Sequence, residues 1–164
     1  MGEKERNALQ QYLEKNGASY KLTTHQPVYT SAQAAKTRGT PVKSGAKALL
    51  FETENQAFIL AVIRADKRVD TEKLSQLIGN SRIRLANAKD LRKLTGCEPG
   101  ALHPFGNLWG IRVILDRSFD VEEINFNAGT THESIHLRLD DFTRLVHPTE
   151  ADIAEKFSSA SCPC

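Results

Sequence analysis

A stretch rich in proline and glycine, residues 99–106, limits what the middle of this chain can fold into. It reads Pro-Gly-Ala-Leu-His-Pro-Phe-Gly, and neither a helix nor a central strand can pass through such a sequence. The stretch differs from a polar linker because it also carries Ala101, Leu102 and Phe105. We therefore predict a rigid, partly apolar loop whose glycine backbone can hold a small ligand closely.

The length and the composition predict a single domain. The chain has 164 residues, of which 40% are hydrophobic and 26% are charged, and a chain of this size can bury a core of its own. We expect one domain over residues 1–157 and a flexible tail over residues 158–164. No apolar run approaches the roughly 18 residues that cross a bilayer, so no membrane partner is expected.

Cysteine use predicts a reducing, cytoplasmic setting. Cys97, Cys162 and Cys164 are an odd number of cysteines, and the N-terminal residues lack the pattern of a signal peptide. The terminal Cys-Pro-Cys could bind a metal or act in redox chemistry, but no second pair of ligands accompanies it.

Charge is distributed unevenly along the chain. Residues 1–97 carry 17 Lys and Arg against 9 Asp and Glu, whereas residues 98–164 carry 5 against 11. If the basic residues share a face, that face would attract a polyanion such as RNA. A solvated surface without a partner is the alternative, and charge alone does not separate the two.

Apolar periodicity predicts an α+β domain. The strongest strand signals are two near-continuous apolar runs, residues 46–53 and 57–65, which are typical of a hairpin of buried strands. The full prediction is a mixed, mainly antiparallel sheet of about seven strands flanked by short helices. The strands are 19–24, 46–53, 57–65, 82–85, 109–115, 122–127 and 134–139; the helices are 3–16, 31–38 after Thr30 as N-cap, 71–78, 87–94 and one capped by Asp140.

Lys47 lies at the beginning of the most buried predicted strand pair. A lysine there is costly unless its amine reaches solvent or an anion. One interpretation is a cation on a rigid strand that points into a cleft and binds phosphate or carboxylate. The other is an edge lysine that extends to solvent, which the spacing alone favours.

The remaining reactive side chains point to no covalent or metal-dependent chemistry. His103, His132 and His136 could in principle hold zinc, but no local ligand pattern is present, so no metal is expected. His132 could act as an acid or base, or be a surface histidine. Cys97 follows a predicted helix end, where the dipole raises a thiol pKa. An enzyme on this framework would depend on positioning and on backbone donors.

Five segments of the chain occur together in one known family. They are His25-x-Pro-x-Tyr-Thr, Lys47-Ala-Leu-Leu-Phe, Arg64-Ala-Asp-Lys-Arg-Val-Asp, the run 94–106 and Phe126-Asn-Ala-Gly-Thr-Thr-His. With these segments, about residues 8–146 resemble the YbaK-like aminoacyl-tRNA deacylases. That family includes the editing domain of bacterial prolyl-tRNA synthetase and free-standing relatives. The Pro-Gly-x-x-x-Pro-Phe-Gly motif is the specific part of the resemblance.

The resemblance implies hydrolysis of the ester that links a wrong amino acid to tRNA, with tRNA(Pro) carrying a small amino acid as the expected substrate. It implies no cofactor, because the terminal ribose hydroxyl of the tRNA assists the attacking water. It also implies the site residues. The catalytic set is Lys47, Gly100 and His132; the substrate-binding set is His25, Tyr29, Thr30, His103, Pro104, Phe105, Gly106, Asn127, Ala128, Gly129 and Thr130.

Within these sets the resemblance implies distinct roles. Lys47 grips the 3′ end of the tRNA through phosphate, and Gly100 and Pro104 shape an aminoacyl pocket with backbone amides near the scissile carbonyl. Asn127 and the turn that follows it line this pocket. His103 occupies a position that varies among relatives and could set the preferred amino acid. A small, rigid second pocket is what editing requires where a synthetase cannot exclude similar amino acids by binding alone.

The implied partner is the 3′ acceptor end of an aminoacyl-tRNA, and an aminoacyl-tRNA synthetase could deliver it. No DNA partner is expected. The alternative function is a non-catalytic module of the same fold that binds tRNA or a synthetase. Release of free amino acid from mischarged tRNA separates the two hypotheses.

Overall fold

The computed structural model describes residues 2–27, 31–79 and 81–156. This part of the chain contains eight strands, arranged in two sheets, and five α-helices. The helices are α1 (Glu3–Lys15), α2 (Ser31–Arg38), α3 (Thr71–Leu77), α4 (Ala88–Thr95) and α5 (Leu139–Val146). The strands are β1 (Tyr20–Thr24), β2 (Ala46–Thr53), β3 (Phe58–Arg64), β4 (Ile83–Leu85), β5 (Arg112–Asp116), β6 (Glu123–Asn127), β7 (Glu133–Arg138) and β8 (Thr149–Ala151).

The two sheets differ in strand direction. The three-stranded sheet has the order β1-β7-β6 and is antiparallel throughout. The five-stranded sheet has the order β4-β2-β3-β5-β8, in which β5 runs parallel to both β3 and β8. A parallel bridge between Gly45 and Asn125 joins the two sheets.

Alternate side chains of β2 and β3 pack into two separate cores. Ala46, Leu50 and Val62 face a large first core, which also contains Leu9 and Leu13 of α1. The opposite face of the same strands packs into a smaller second core beneath α3. Because successive residues of a strand point to opposite faces, an unbroken apolar run fills both cores at once. Within the described residues, no helix is long and apolar enough to cross a bilayer.

The structure confirms the predicted α+β class and the β2–β3 hairpin, and corrects four details. The strands form two sheets rather than the single mixed sheet predicted, because β1, β6 and β7 form strand pairs only with one another. The strand predicted from Trp109 begins at Arg112, because residues 106–109 form a 3₁₀ turn that ends at Gly110 with φ of +68°. Arg138 occupies the N-cap of α5, and Asp140 lies in its first turn. Strand β8 was not predicted, since three residues carry too short a pattern.

Three predicted features lie outside the described residues. They are the Thr30 cap of α2, the Tyr29 and Thr30 part of the His25 motif, and the tail over residues 158–164.

Candidate active site

One face of the three-stranded sheet is polar and largely buried. The register pairs Asn125 with His136 and Asn127 with Ser134. Residues two apart in a strand share a face, so these four side chains lie together, opposite the apolar side chains of the first core. Asn125, Ser134 and His136 are buried. Buried polar groups of this kind are retained where they form hydrogen bonds.

Lys47 extends this face from the five-stranded sheet. Gly45 bridges Asn125, and the Asn125 amide donates a 2.9 Å hydrogen bond to Ser44 Oγ. Lys47 follows Gly45 by two residues and therefore lies on the same face. Leu49, two residues further, packs against the second core, so Lys47 lies where apolar packing ends. We call Lys47, Asn125, Asn127, Ser134 and His136 the polar face.

The Lys47 amine is partly buried without a carboxylate partner. Burial lowers the pKa of Lys47, nearby Arg68 lowers it further, and Asp66 opposes both effects. Asp66 itself pairs with Arg64 at 2.6 Å. Within residues 2–27, 31–79 and 81–156, no hydrogen bond or ion pair joins Lys47 to another side chain. A cation in this position is stabilised by an anion from outside, and phosphate and carboxylate both fit it.

The beginning of the 99–106 loop is held against the polar face. The Asn127 side-chain amide donates a 2.6 Å hydrogen bond to the carbonyl oxygen of Gly100. Gly100 has φ of +87° and is exposed, and a Cβ at this position would meet nothing within 4 Å. Open space therefore adjoins the loop at this point. Among the described residues, the Gly100 N–H meets no acceptor, and because Gly100 is exposed this donor can bind a ligand oxygen.

The rest of the loop turns inward. Phe105 is fully buried and makes edge contacts with Phe142 and Tyr12, with ring centroids 5.2 and 6.1 Å apart. Position 106 has no room for a side chain, because a Cβ there would lie 2.7 Å from Cγ2 of Val113. Pro104 is buried beside them. The resemblance places Phe105 and Gly106 in the substrate-binding set, but the structure gives them a packing role.

His103 is also buried, and its ring stacks on Trp109 with centroids 4.2 Å apart. Its Nδ1 accepts a 3.1 Å hydrogen bond from the Phe105 N–H. Burial lowers the pKa of His103 to about 3, so the ring is neutral at ordinary pH. The ring borders a cleft between α1 and α4 that none of the polar-face residues line. Its side chain is therefore separate from the Lys47 region.

The turn between β6 and β7 carries the other implied site residues. The Ala128 N–H binds the Glu133 carbonyl at 3.0 Å, and Gly129 has φ of +98°. Thr130 is buried and donates a 3.0 Å hydrogen bond to Glu133 Oε1. His132 is partly exposed, with Nε2 3.5 Å from the same oxygen. The turn thus presents His132 at its rim.

Helix α1 fixes this turn from behind. Arg6 forms a 2.5 Å ion pair with Glu133, which is nearly fully buried. Gly2 packs directly against the backbone of Gly129, where a Cβ would collide with the carbonyl oxygen. The ion pair and this close approach hold the turn in one position relative to the sheet.

His25 connects β1 to the polar face. Its Nε2 lies 2.7 Å from Ser134 Oγ, and its Nδ1 lies 2.7 Å from the Gln26 carbonyl oxygen. A carbonyl oxygen can only accept, so in the neutral ring Nδ1 carries the hydrogen and Nε2 accepts from the hydroxyl. A hydroxyl–imidazole pair can generate a nucleophile, but Ser134 is fully buried. The pair therefore anchors the chain just before residues 28–30.

The other reactive groups are not arranged for catalysis. Cys97 is buried, and burial raises the pKa of its thiol to about 12. No group of three or more His, Cys, Asp or Glu in the described ranges could hold a metal ion.

Sequence reasoning missed several members of the site, and a signal for them was present. Asn-Phe-Asn at residues 125–127 and Ser-Ile-His at residues 134–136 alternate polar and apolar residues. On two paired strands this pattern predicts one apolar and one polar face. The contribution of Arg6 and Glu133 depends on how α1 packs, and no local pattern reveals it.

Comparison with known proteins connects this geometry to one family. Residues 25–145 match the sequence profile of the aminoacyl-tRNA editing domain. The multifunctional Ser/Thr-tRNA deacylase ProXp-y of Escherichia coli strain K12 is 33% identical over 143 residues, which cover 83% of this chain and 84% of that protein. A proline–tRNA ligase of Xanthomonas oryzae pv. oryzae is 34% identical over 109 residues, covering 66% of this chain and 19% of the ligase.

Solved structures show the same architecture. The crystal structure of a proposed trans-editing enzyme for prolyl-tRNA synthetase superposes with a TM-score of 0.83 at 25% identity, covering 92% of this chain and 97% of that chain. The crystal structure of the hypothetical protein APE2540 superposes with a TM-score of 0.82 at 23% identity, which supports the fold alone.

Proposed function

Because this chain belongs to the aminoacyl-tRNA editing domain family, we propose that it is an aminoacyl-tRNA deacylase that works at the polar face. The observation that carries the proposal is the hydrogen bond from Asn127 to the Gly100 carbonyl. It joins the exposed part of the proline- and glycine-rich loop to the sheet face that contains Lys47. A cation for phosphate and a free backbone donor thereby lie on one side of the molecule.

The proposed substrate is tRNA(Pro) carrying a small, wrong amino acid. Two kinds of relative support this: one is a Ser/Thr-tRNA deacylase by name, and others are proline–tRNA ligases. Serine, threonine, alanine and cysteine are the first amino acids to test. A synthetase that binds this protein and passes on the mischarged tRNA is a further part of the proposal.

In the proposed reaction the protein acts by positioning. Lys47 binds phosphate at the 3′ end of the tRNA, and the Gly100 amide binds the carbonyl oxygen of the ester. Water adds to the carbonyl carbon with help from the terminal ribose hydroxyl, the bond to the ribose oxygen breaks, and that oxygen takes up a proton. Amide donors at a developing oxyanion are worth roughly 10²–10³ in rate each. His132 contacts the acceptor end from the rim of the turn.

Anion binding also relieves the cost of burying Lys47. Burial lowers the pKa of this amine, which means that the charged form is destabilised in the free protein. A phosphate beside the amine restores the charged form and gains the interaction that the free protein lacks. The partly buried lysine is therefore better suited to a charged ligand than a fully solvated one would be.

The direct test is a panel of mischarged tRNAs. The folded protein is mixed with Ser-, Thr-, Ala- and Cys-tRNA(Pro), and with the same amino acids on their own tRNAs, and release of free amino acid is followed. Release from at least one mischarged tRNA is expected. Salt-dependent tRNA binding without release from any of them would contradict the proposal and favour a binding module.

A further inference from the structure

A second recess lies on the other side of the 99–106 loop. It has a volume of about 340 Å³ and is bordered by α1, the end of α4 and the 3₁₀ turn. The residues that line it are Lys4, Glu5, Ala8, Arg92, Lys93, Leu94, Thr95, Gly96, His103, Leu108 and Trp109. It shares no residue with the polar face, and the proposed function does not use it. We call it the α1–α4 cleft.

An aromatic pair forms one wall of this cleft. The Trp109 ring stacks on His103 with an interplanar angle of 20°. His103 cannot turn away easily, because it is buried and its Nδ1 accepts the Phe105 N–H. Trp109 is only partly buried, so the indole is held from one side while part of its surface remains open. A fixed, partly exposed indole can stack with a planar ligand.

The charges around the indole favour an anionic ligand. Lys4 and Lys93 are exposed cations at the cleft. Arg92 is paired with Glu98 at 2.7 Å, and the Glu5 side chain lies against Gly96. Two lysines and the Glu5 carboxylate therefore remain beside an aromatic surface, which leaves a net positive charge there. An aromatic platform with nearby cations is the combination that binds single-stranded nucleic acid.

We propose that the α1–α4 cleft binds an unpaired nucleotide of the tRNA acceptor end upstream of the terminal adenosine, with its base on Trp109 and its phosphate near Lys4 and Lys93. This inference rests on the proposed function, and the loop itself supplies the geometric link. Gly100 adjoins the polar face, and three residues later His103 supports Trp109. Three residues span at most about 11 Å, a distance that a short single strand can bridge. His103 then acts as a positioning residue for Trp109.

Fluorescence gives a direct test of binding, because Trp109 is the only tryptophan in the chain. Uncharged tRNA with an intact single-stranded 3′ end should quench Trp109 emission. The same tRNA with that end removed should quench it much less. Lys93→Gln should reduce the slope of log affinity against log salt by about one phosphate contact, whereas Lys15→Gln on the exposed end of α1 should not. Absence of quenching, or equal quenching by the trimmed tRNA, would overturn the inference.

Kinetics separate the cleft from the catalytic face. Trp109→Ala should lower kcat/KM for mischarged tRNA about tenfold, as loss of one base–aromatic stack does, and Trp109→Phe should restore part of it. Both variants should hydrolyse an aminoacyl-adenosine at the wild-type rate, since it has no second nucleotide. Equal losses on both substrates would overturn the inference by giving Trp109 a structural role. If the wild type hydrolyses neither substrate but tRNA still quenches Trp109, the proposed function fails while the nucleotide site stands.

Discussion

His103 illustrates how one buried residue links the loop to the stability of the whole protein. Its folded pKa is about 3, against an ordinary value of 6.5. The unfolded chain therefore binds a proton at this residue before the folded protein does. The contribution of neutral His103 to the free energy of unfolding is complete above pH 6.5. It is lost progressively as the pH falls from 6.5 toward 3.

Replacing His103 should remove this pH dependence. Below pH 6, the free energy of unfolding of the wild type should fall about 1.4 kcal/mol per pH unit more steeply than that of His103→Gln. Urea unfolding at pH 7, 6, 5 and 4 measures both slopes, and the other titrating groups contribute equally to the two proteins. Parallel pH profiles would show that His103 titrates normally in the folded state.

Two glycines of one loop are needed for different reasons, and substitution separates them. Gly106→Ala should destabilise the protein by about 1–3 kcal/mol, because its Cβ meets Val113 at 2.7 Å and the Ile111 carbonyl at 2.9 Å. Gly100→Ala has free space and costs only the backbone strain of a positive φ, about 1–2 kcal/mol.

The two variants should also differ in activity. At a temperature where both are folded, Gly106→Ala should retain deacylation, whereas Gly100→Ala should lose most of it because its Cβ fills the space beside the proposed carbonyl site. Thermal unfolding and single-turnover assays on the same preparations decide this. An active Gly100→Ala protein would remove this backbone segment from the mechanism.

At the level of elements, the packing of α1 against the β6–β7 turn depends on a nearly buried ion pair. Arg6→Met leaves the Glu133 carboxylate without its partner and should cost about 2–3 kcal/mol. The exposed pair between Arg144 and Asp141 on α5 is the matched control, and Arg144→Met should cost less than about 1 kcal/mol. Denaturant unfolding measures both.

A double-mutant cycle completes this test. Glu133→Gln combined with Arg6→Met should be less destabilised than the sum of the single changes, because no unpaired charge remains buried. Additive losses would mean that the two residues act independently, and that α1 is held to the turn by apolar contacts alone.

The sequence predicts some elements well and others poorly, for physical reasons. The hairpin of β2 and β3 was predictable because its apolar runs are long and its turn is polar. The parallel pairing of β3, β5 and β8 was not, since strand order depends on how distant segments meet. The candidate site follows the same rule. The local sequence is enough to single out the loop and Lys47, whereas the polar face depends on the strand register that places Asn125 and Ser134 on one side of the sheet.

For the molecule as a whole, both sheets contribute to the proposed functional surface. The three-stranded sheet supplies the side-chain amides of Asn125 and Asn127 and the ring of His136, the five-stranded sheet supplies Lys47, and the loop is held to them through the Asn127–Gly100 hydrogen bond. The basic excess of residues 1–97 is consistent with a polyanionic substrate. The α1–α4 cleft lies beyond the same loop. In the proposed function these parts act together on aminoacyl-tRNA, with Lys47 as the phosphate contact.

The role of Lys47 is tested by comparing single-turnover deacylation of mischarged tRNA by the wild type, Lys47→Met and Lys15→Met, each shown to be folded by thermal unfolding. Loss of a hydrogen-bonded charge contact predicts that kcat/KM falls about tenfold to a hundredfold for Lys47→Met. Lys15→Met, at an exposed position on α1, should match the wild type. A folded Lys47→Met protein that deacylates at the wild-type rate would exclude Lys47 as the phosphate contact.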